Sequence, residues 1–159
     1  LLDDGGHTYT AGGGMCDEDI EKIISFPACA ISTDGSTRDR PSTVMRPAHP
    51  RNYGSFAKVL QLYVREKGIL TLEDAVRKMT SLPASFLGLT HRGMIHVGNW
   101  ADITIFDPER IENRATFKEP DRYPAGIKYV IVNGEIAAEN GERTDSLPGM
   151  VLNHSKPNE

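Results

Sequence analysis

The sequence predicts an α/β chain: the end of a (β/α)8 TIM barrel, its last strand and the helices after it, leading into a separate group of β-strands. Three observations predict it. A short apolar run, Ala28-Cys29-Ala30-Ile31, ends in Ser32-Thr33-Asp34-Gly35, a carboxylate followed at once by glycine. Segments of helical period follow between Phe56 and Ala84. Beyond Gly88 the pattern turns to alternation rich in β-branched residues, with Asn133-Gly134 between two such runs.

Residues 1–15 are rich in Gly and Asp without periodicity and read as a loop, in which Gly12-Gly13-Gly14 fits a pocket lining and a linker equally. From Asp17 a helix is expected: Asp17 can cap it, Glu18 and Asp19 suit its first turn, and Ile20, Ile23 and Ile24 share one face. Pro27 ends it, and the run into Asp34 is small and apolar, as in a strand buried on both faces. Gly35 then lets the chain turn. Residues 37–50 form a polar loop with three prolines, long enough for a lid or a substrate loop. A second helix is expected from Phe56 to Glu66, stopped by Gly68. A third starts at Thr71, with Asp74 completing a capping-box-like pair and Leu72, Ala75, Val76 and Met79 forming its buried face. Leu82-Pro83-Ala84 opens a further short turn of helix. Residues 101–106 and 127–132 read as strands, and Asn133-Gly134 predicts a hairpin returning through 135–138.

The formal net charge of −4 argues against a nucleic-acid partner and for a soluble, cytoplasmic protein. No apolar run approaches the roughly 20 residues of a membrane span. Two cysteines, Cys16 and Cys29, are too few for a disulfide framework and fit reduced thiols. A closed barrel needs about 250 residues. With 159 residues and no initiator Met, the chain is expected to be a fragment or one domain of a longer enzyme, not a closed barrel. The expected division is 1–90 for the barrel end, 91–152 for the β part, and 153–159 for a frayed tail.

Asp34 at the C-terminal end of a barrel strand stands where such enzymes carry their chemistry, although Asp-Gly is also a common turn dipeptide. Further motifs follow it. His49-Pro50-Arg51-Asn52-Tyr53-Gly54-Ser55-Phe56 comes some fifteen residues on, and Gly98-Asn99-Trp100-Ala101-Asp102-Ile103-Thr104-Ile105-Phe106-Asp107 later. In this order and spacing the chain resembles the C-terminal part of the amidohydrolase superfamily, most closely the N-acyl-D-amino-acid deacylases (D-aminoacylases), from about Gly14 to about Leu152. The segment ending at Asp107 is widespread in amidohydrolases, and His-Pro-Arg with its aromatic-Gly-x-Phe points to the deacylase branch.

The resemblance implies a zinc-dependent hydrolase cleaving the amide of a small-molecule N-acyl-D-amino acid, with the β part belonging to a small β-sandwich. It implies that Asp34 touches the metal, takes a proton from the attacking water and passes it to the leaving nitrogen. An acid there can both ligate a cation and carry that proton, which Asn could not do. It implies that Arg51 grips the substrate carboxylate, as a planar guanidinium can through two parallel hydrogen bonds; taken without its motif, Arg51 also fits a surface salt bridge. His49 fits a pocket lining or a loop shaped by Pro50. Met15 aligns with an apolar residue that contacts the substrate side chain, and fits plain core packing as well.

Zinc wants about four ligands. His7, His49, His91, His96 and His154 are scattered, with no His-x-His, His-Glu-x-x-His or Cys-x-x-Cys, so Asp34 is the one metal ligand expected here and the others lie outside the chain. His91 and His96 read as exposed or structural turn residues, and Asp102 as structural. Two alternatives are a cyclic amidase of the dihydroorotase or hydantoinase kind, which the His-Pro-Arg disfavours, and a non-catalytic structural piece inactive by itself.

Overall fold

The computed structural model describes residues 14–36 and 49–152. The Gly-rich opening up to Gly13, most of the polar loop and the expected tail from Asn153 lie outside the described residues. Helices come first, α1 (Asp17–Ser25), α2 (Arg51–Lys58), a π-helical stretch (Val59–Glu66), α3 (Leu72–Met79) and α4 (Ser81–Phe86). Strands follow, β1 (Ile103–Phe106), β2 (Ile127–Val132), β3 (Glu135–Glu139) and β4 (Glu142–Arg143). No helix among the described residues is long and apolar enough to cross a membrane.

In α1, Asp17 falls in the first turn behind Cys16 instead of capping it, with Glu18 and Asp19 beside it. The helix buries Ile24, and Phe26 ends it in extended backbone one residue before Pro27. The second helix starts five residues earlier than the apolar pattern suggests, because Pro50 already holds φ −52° and ψ −28° and so prepares the first turn at Arg51. Past Lys58 the turns widen. Lys67 N–H reaches back five residues to the Leu62 carbonyl at 2.8 Å, and Val59, Leu60 and Tyr63 stay buried.

Gly54 in the middle of α2 answers a close approach. A Cβ there would stand 1.9 Å from Asn113 Oδ1 and 3.2 Å from Ala115 Cβ. Asn113 cannot simply swing aside, since its Oδ1 accepts from Ala115 N–H at 3.0 Å and its own N–H donates to Gln61 Oε1 at 2.8 Å. The missing side chain thus lets helix and sheet-side chain meet.

In α3 the Thr71 hydroxyl accepts from Asp74 N–H at 3.1 Å, as the capping pattern predicts. Its buried face holds Ala75 and also Lys78, which is fully buried. The Lys78 ammonium donates to the carbonyls of Phe26 and Cys29, so backbone dipoles between α1 and α3 take the place of its lost water. Asp74 Oδ2 stands 3.9 Å away.

The four strands form one antiparallel sheet in chain order, β1-β2-β3-β4. Asn133 (φ 50°) and Gly134 (φ 87°) both take positive φ, the geometry of a two-residue hairpin loop between β2 and β3. Asp102 closes the base of the sheet: its Oδ1 accepts from Asn133 N–H at 2.9 Å, and its Oδ2 pairs with Arg92.

Helices and sheet share one core of Ile24, Ala57, Val59, Leu60, Tyr63, Leu70, Ala75 and Ile111, with Ile31, Phe106 and Ile127 packed against it. Arg65 links the layers by donating to the Pro108 and Ile111 carbonyls at 2.9 and 2.8 Å. The described residues form no closed barrel: the helices stand beside an open sheet.

Candidate functional site

The segment leading to Asp34 forms no strand. A strand needs a neighbour to satisfy its alternating N–H and C=O groups. Here the described strands all lie in the single sheet formed by residues 103–143. The segment's backbone is held by α3 instead: Ile31 N–H donates to the Lys78 carbonyl at 3.0 Å.

The turn at its end is made by Asp34 itself, at φ 48°, a left-handed conformation that Asp tolerates better than most residues. Gly35 N–H donates to Thr33 Oγ1 at 3.1 Å across the turn. Gly35 is needed for contact more than for turning. A Cβ there would meet Asn52 Cα and Asn52 Oδ1, each at 3.2 Å, and Ser36 N–H donates to that same Asn52 oxygen at 3.1 Å. The turn therefore lies on the first turn of α2.

That contact brings Asp34 to Arg51, 17 residues apart in sequence, as an ion pair between Asp34 Oδ2 and Arg51 Nη1. The Asp34 side chain remains 88% exposed, open to an incoming group. Arg51 is held on its other side by His49. Nδ1 of His49 accepts from both the Arg51 backbone N–H and Arg51 Nε–H, each at 3.1 Å. Nε2 of the same ring stands 3.3 Å from Arg51 Nη2. Partial burial and the neighbouring guanidinium hold the His49 pKa below its ordinary value, partly offset by the Asp34 carboxylate. The Phe117 ring stands edge-on to His49 at 5.2 Å between centroids, and Tyr53 meets Tyr123 in the same manner at 5.4 Å.

Of the residues singled out from the sequence, Asp34, His49 and Arg51 come together, and Met15 sits exposed just ahead of α1. His91 and His96 are exposed in the turns before β1. Among the described residues no three His, Cys, Asp or Glu side chains gather where they could hold a metal ion. Asp34 fits a metal as a single exposed carboxylate donor, and the described residues do not complete a ligand set around it.

Asn52, Phe117 and Lys78 were not singled out. Asn52 lies inside the motif, but its contact depends on the fold. Phe117 comes from the chain between β1 and β2 and carries no local signal. Lys78 had one: it stands three residues after Ala75 and one before Met79, on the apolar face of α3.

Residues 35–138 match the profile described as "Amidohydrolase family". The chain is similar to an N-acyl-D-glutamate deacylase of Alcaligenes xylosoxydans xylosoxydans, 43% identical over 120 residues that cover 76% of this chain and 23% of the relative. It superposes on a crystal structure of D-aminoacylase with a TM-score of 0.79 and 39% identity, covering 87% of this chain and 28% of that one. A Bordetella bronchiseptica N-acyl-D-glutamate deacylase, complexed with zinc and a phosphonate mimic of the tetrahedral intermediate, matches with a TM-score of 0.70 and 37% identity, over 85% of this chain and 28% of that one. The chain spans about a quarter of the length of these relatives.

Proposed function

The chain belongs to the amidohydrolase family, and from that premise we propose that it is the part of a zinc-dependent N-acyl-D-amino-acid deacylase that carries a proton-transferring carboxylate and the grip for the substrate's own carboxylate. On this reading residues 1–90 end the barrel domain, residues 91–152 belong to the small β domain, and Met15 borders the substrate side chain. What supports it most directly is the meeting of Asp34 and Arg51 across the turn on α2.

Amide hydrolysis at neutral pH needs a strong nucleophile, and a bound zinc supplies one by lowering the pKa of water to about 7. The chain's own residues do the rest. Arg51 takes the α-carboxylate of the acyl-D-amino acid through a forked pair of hydrogen bonds, which fixes the amide's position. In doing so it exchanges one carboxylate for another and releases Asp34. A freed Asp34 oxygen accepts the proton of the attacking water and returns it to the departing nitrogen, completing hydrolysis to a carboxylate and a D-amino acid.

The test is Arg51→Lys in the full-length protein carrying this chain. A Lys ammonium is a point charge without the fork, and losing a charge-assisted hydrogen bond of about 1.5–3 kcal/mol raises KM by roughly one to two powers of ten. The control is the matching acyl amine, which lacks the carboxylate. Equal losses on both compounds would remove Arg51 from substrate recognition and with it the main local support for this substrate class.

A further inference from the structure

We propose that His49 is a positioning residue for Arg51, one that decides which edge of the guanidinium is presented to the substrate; this rests on the reading of Arg51 as the carboxylate grip. A guanidinium can hold a carboxylate along its side, through Nε and one terminal nitrogen, or at its end, through both terminal nitrogens. In this structure the side is taken. His49 Nδ1 accepts Arg51 Nε–H at 3.1 Å, and the imidazole continues along the same edge to stand 3.3 Å from Nη2. The end remains, and there Asp34 already holds Nη1. The end-on edge is therefore where a carboxylate binds.

The histidine is itself fixed on several sides. Its Nδ1 also accepts the Arg51 backbone N–H at 3.1 Å, its carbonyl accepts Asn52 N–H at 3.0 Å, and Pro50 sets the backbone between them. Phe117 abuts the ring edge at 5.2 Å. The acceptor thus stays in place whether or not the other end of Arg51 is engaged, and the long Arg side chain loses its rotamer freedom before substrate arrives.

The experiment uses the zinc-loaded full-length protein and compares His49→Phe, which keeps an aromatic ring against Phe117 but has no acceptor, with His49→Asn, whose side-chain oxygen restores an acceptor near Nδ1. The expected result is that His49→Phe lowers the preference for the acyl-D-amino acid over its matching acyl amine by about tenfold, as loss of one charged hydrogen bond would, chiefly through KM. His49→Asn should recover most of that preference. If His49→Phe fails to fold, His49→Leu replaces it. Equal losses on both compounds, or a folded His49→Asn as impaired as His49→Phe, overturns the positioning role. Arg51→Ala run alongside separates the two ideas: if it discriminates between the compounds and His49→Phe does not, the grip stands and the role of His49 falls.

Discussion

Ser36 and Asn52 are tied by a hydrogen bond of 3.1 Å from the Ser36 backbone N–H to the Asn52 side-chain oxygen, so the turn bearing position 34 is held on α2 without the Asp34 carboxylate, and Asn tolerates the positive φ there as Asp does. Asp34→Asn in the full-length protein is therefore expected to keep the fold while removing a proton acceptor. The rate constant kcat should fall about a hundred- to ten-thousand-fold, the usual contribution of general acid–base catalysis, with an unchanged far-ultraviolet circular dichroism spectrum. A near-normal rate would make Asp34 a turn residue only.

The 159-residue chain expressed alone should neither release acetate from an N-acetyl-D-amino acid nor bind zinc saturably in the micromolar range. One carboxylate is far from the four or so ligands zinc prefers, and no group of three metal-binding side chains forms among the described residues. Isothermal titration with zinc, followed by the acetate assay, checks both.

Gly54→Ala should cost about 1–3 kcal/mol of stability, because an added methyl meets an Asn113 side chain already committed to its own hydrogen bonds. Pairing it with Asn113→Ala in a double-mutant cycle is the informative measurement. Recovery of most of the loss in the double variant locates the strain at this contact.

Lys78→Met keeps the buried aliphatic stem but removes the donor to the Cys29 carbonyl, one of the two donors to the Phe26 carbonyl, and the cation beside Asp74. The expected loss is about 2–4 kcal/mol in urea unfolding. A loss below about 0.5 kcal/mol, the range of ordinary surface changes, would mean that the ammonium does not join α1 to α3.

Two local signals in the sequence agree with the structure. The Thr71–Asp74 cap starts α3, and Asn133-Gly134 returns β2 into β3. Both depend on residues within a few positions of one another. The disagreements are of two kinds, helix starts displaced locally, as at Cys16 and Pro50, and contacts made across the fold. Ala28 to Ile31 has strand composition, but composition cannot supply the neighbour that a ladder requires, and α3 takes up the backbone N–H of Ile31 instead. The helix expected from Phe56 starts at Arg51, where Pro50 prepares its first turn and Gly54 makes room for Asn113. At the site, the motif singled out His49 and Arg51. The histidine reaches the arginine's Nε edge across two residues, within the motif itself, whereas Phe117 comes to stand beside it only through how the chain between β1 and β2 returns across α2.

The order of the sheet also bears on how the molecule reaches its shape. Each strand pairs with the next in the chain, and the β2–β3 pairing encloses only the Asn133-Gly134 loop, so its closure costs little chain entropy and hairpins form within about 1–10 μs. Joining β1 to β2 must enclose the much longer stretch 107–126, and docking the Asp34 turn on α2 must enclose 37–50. The β2–β3 hairpin is therefore the pairing of this sheet with the least chain entropy to lose, and the turn that carries Asp34, like β1 against β2, has a longer loop to close before it is ordered.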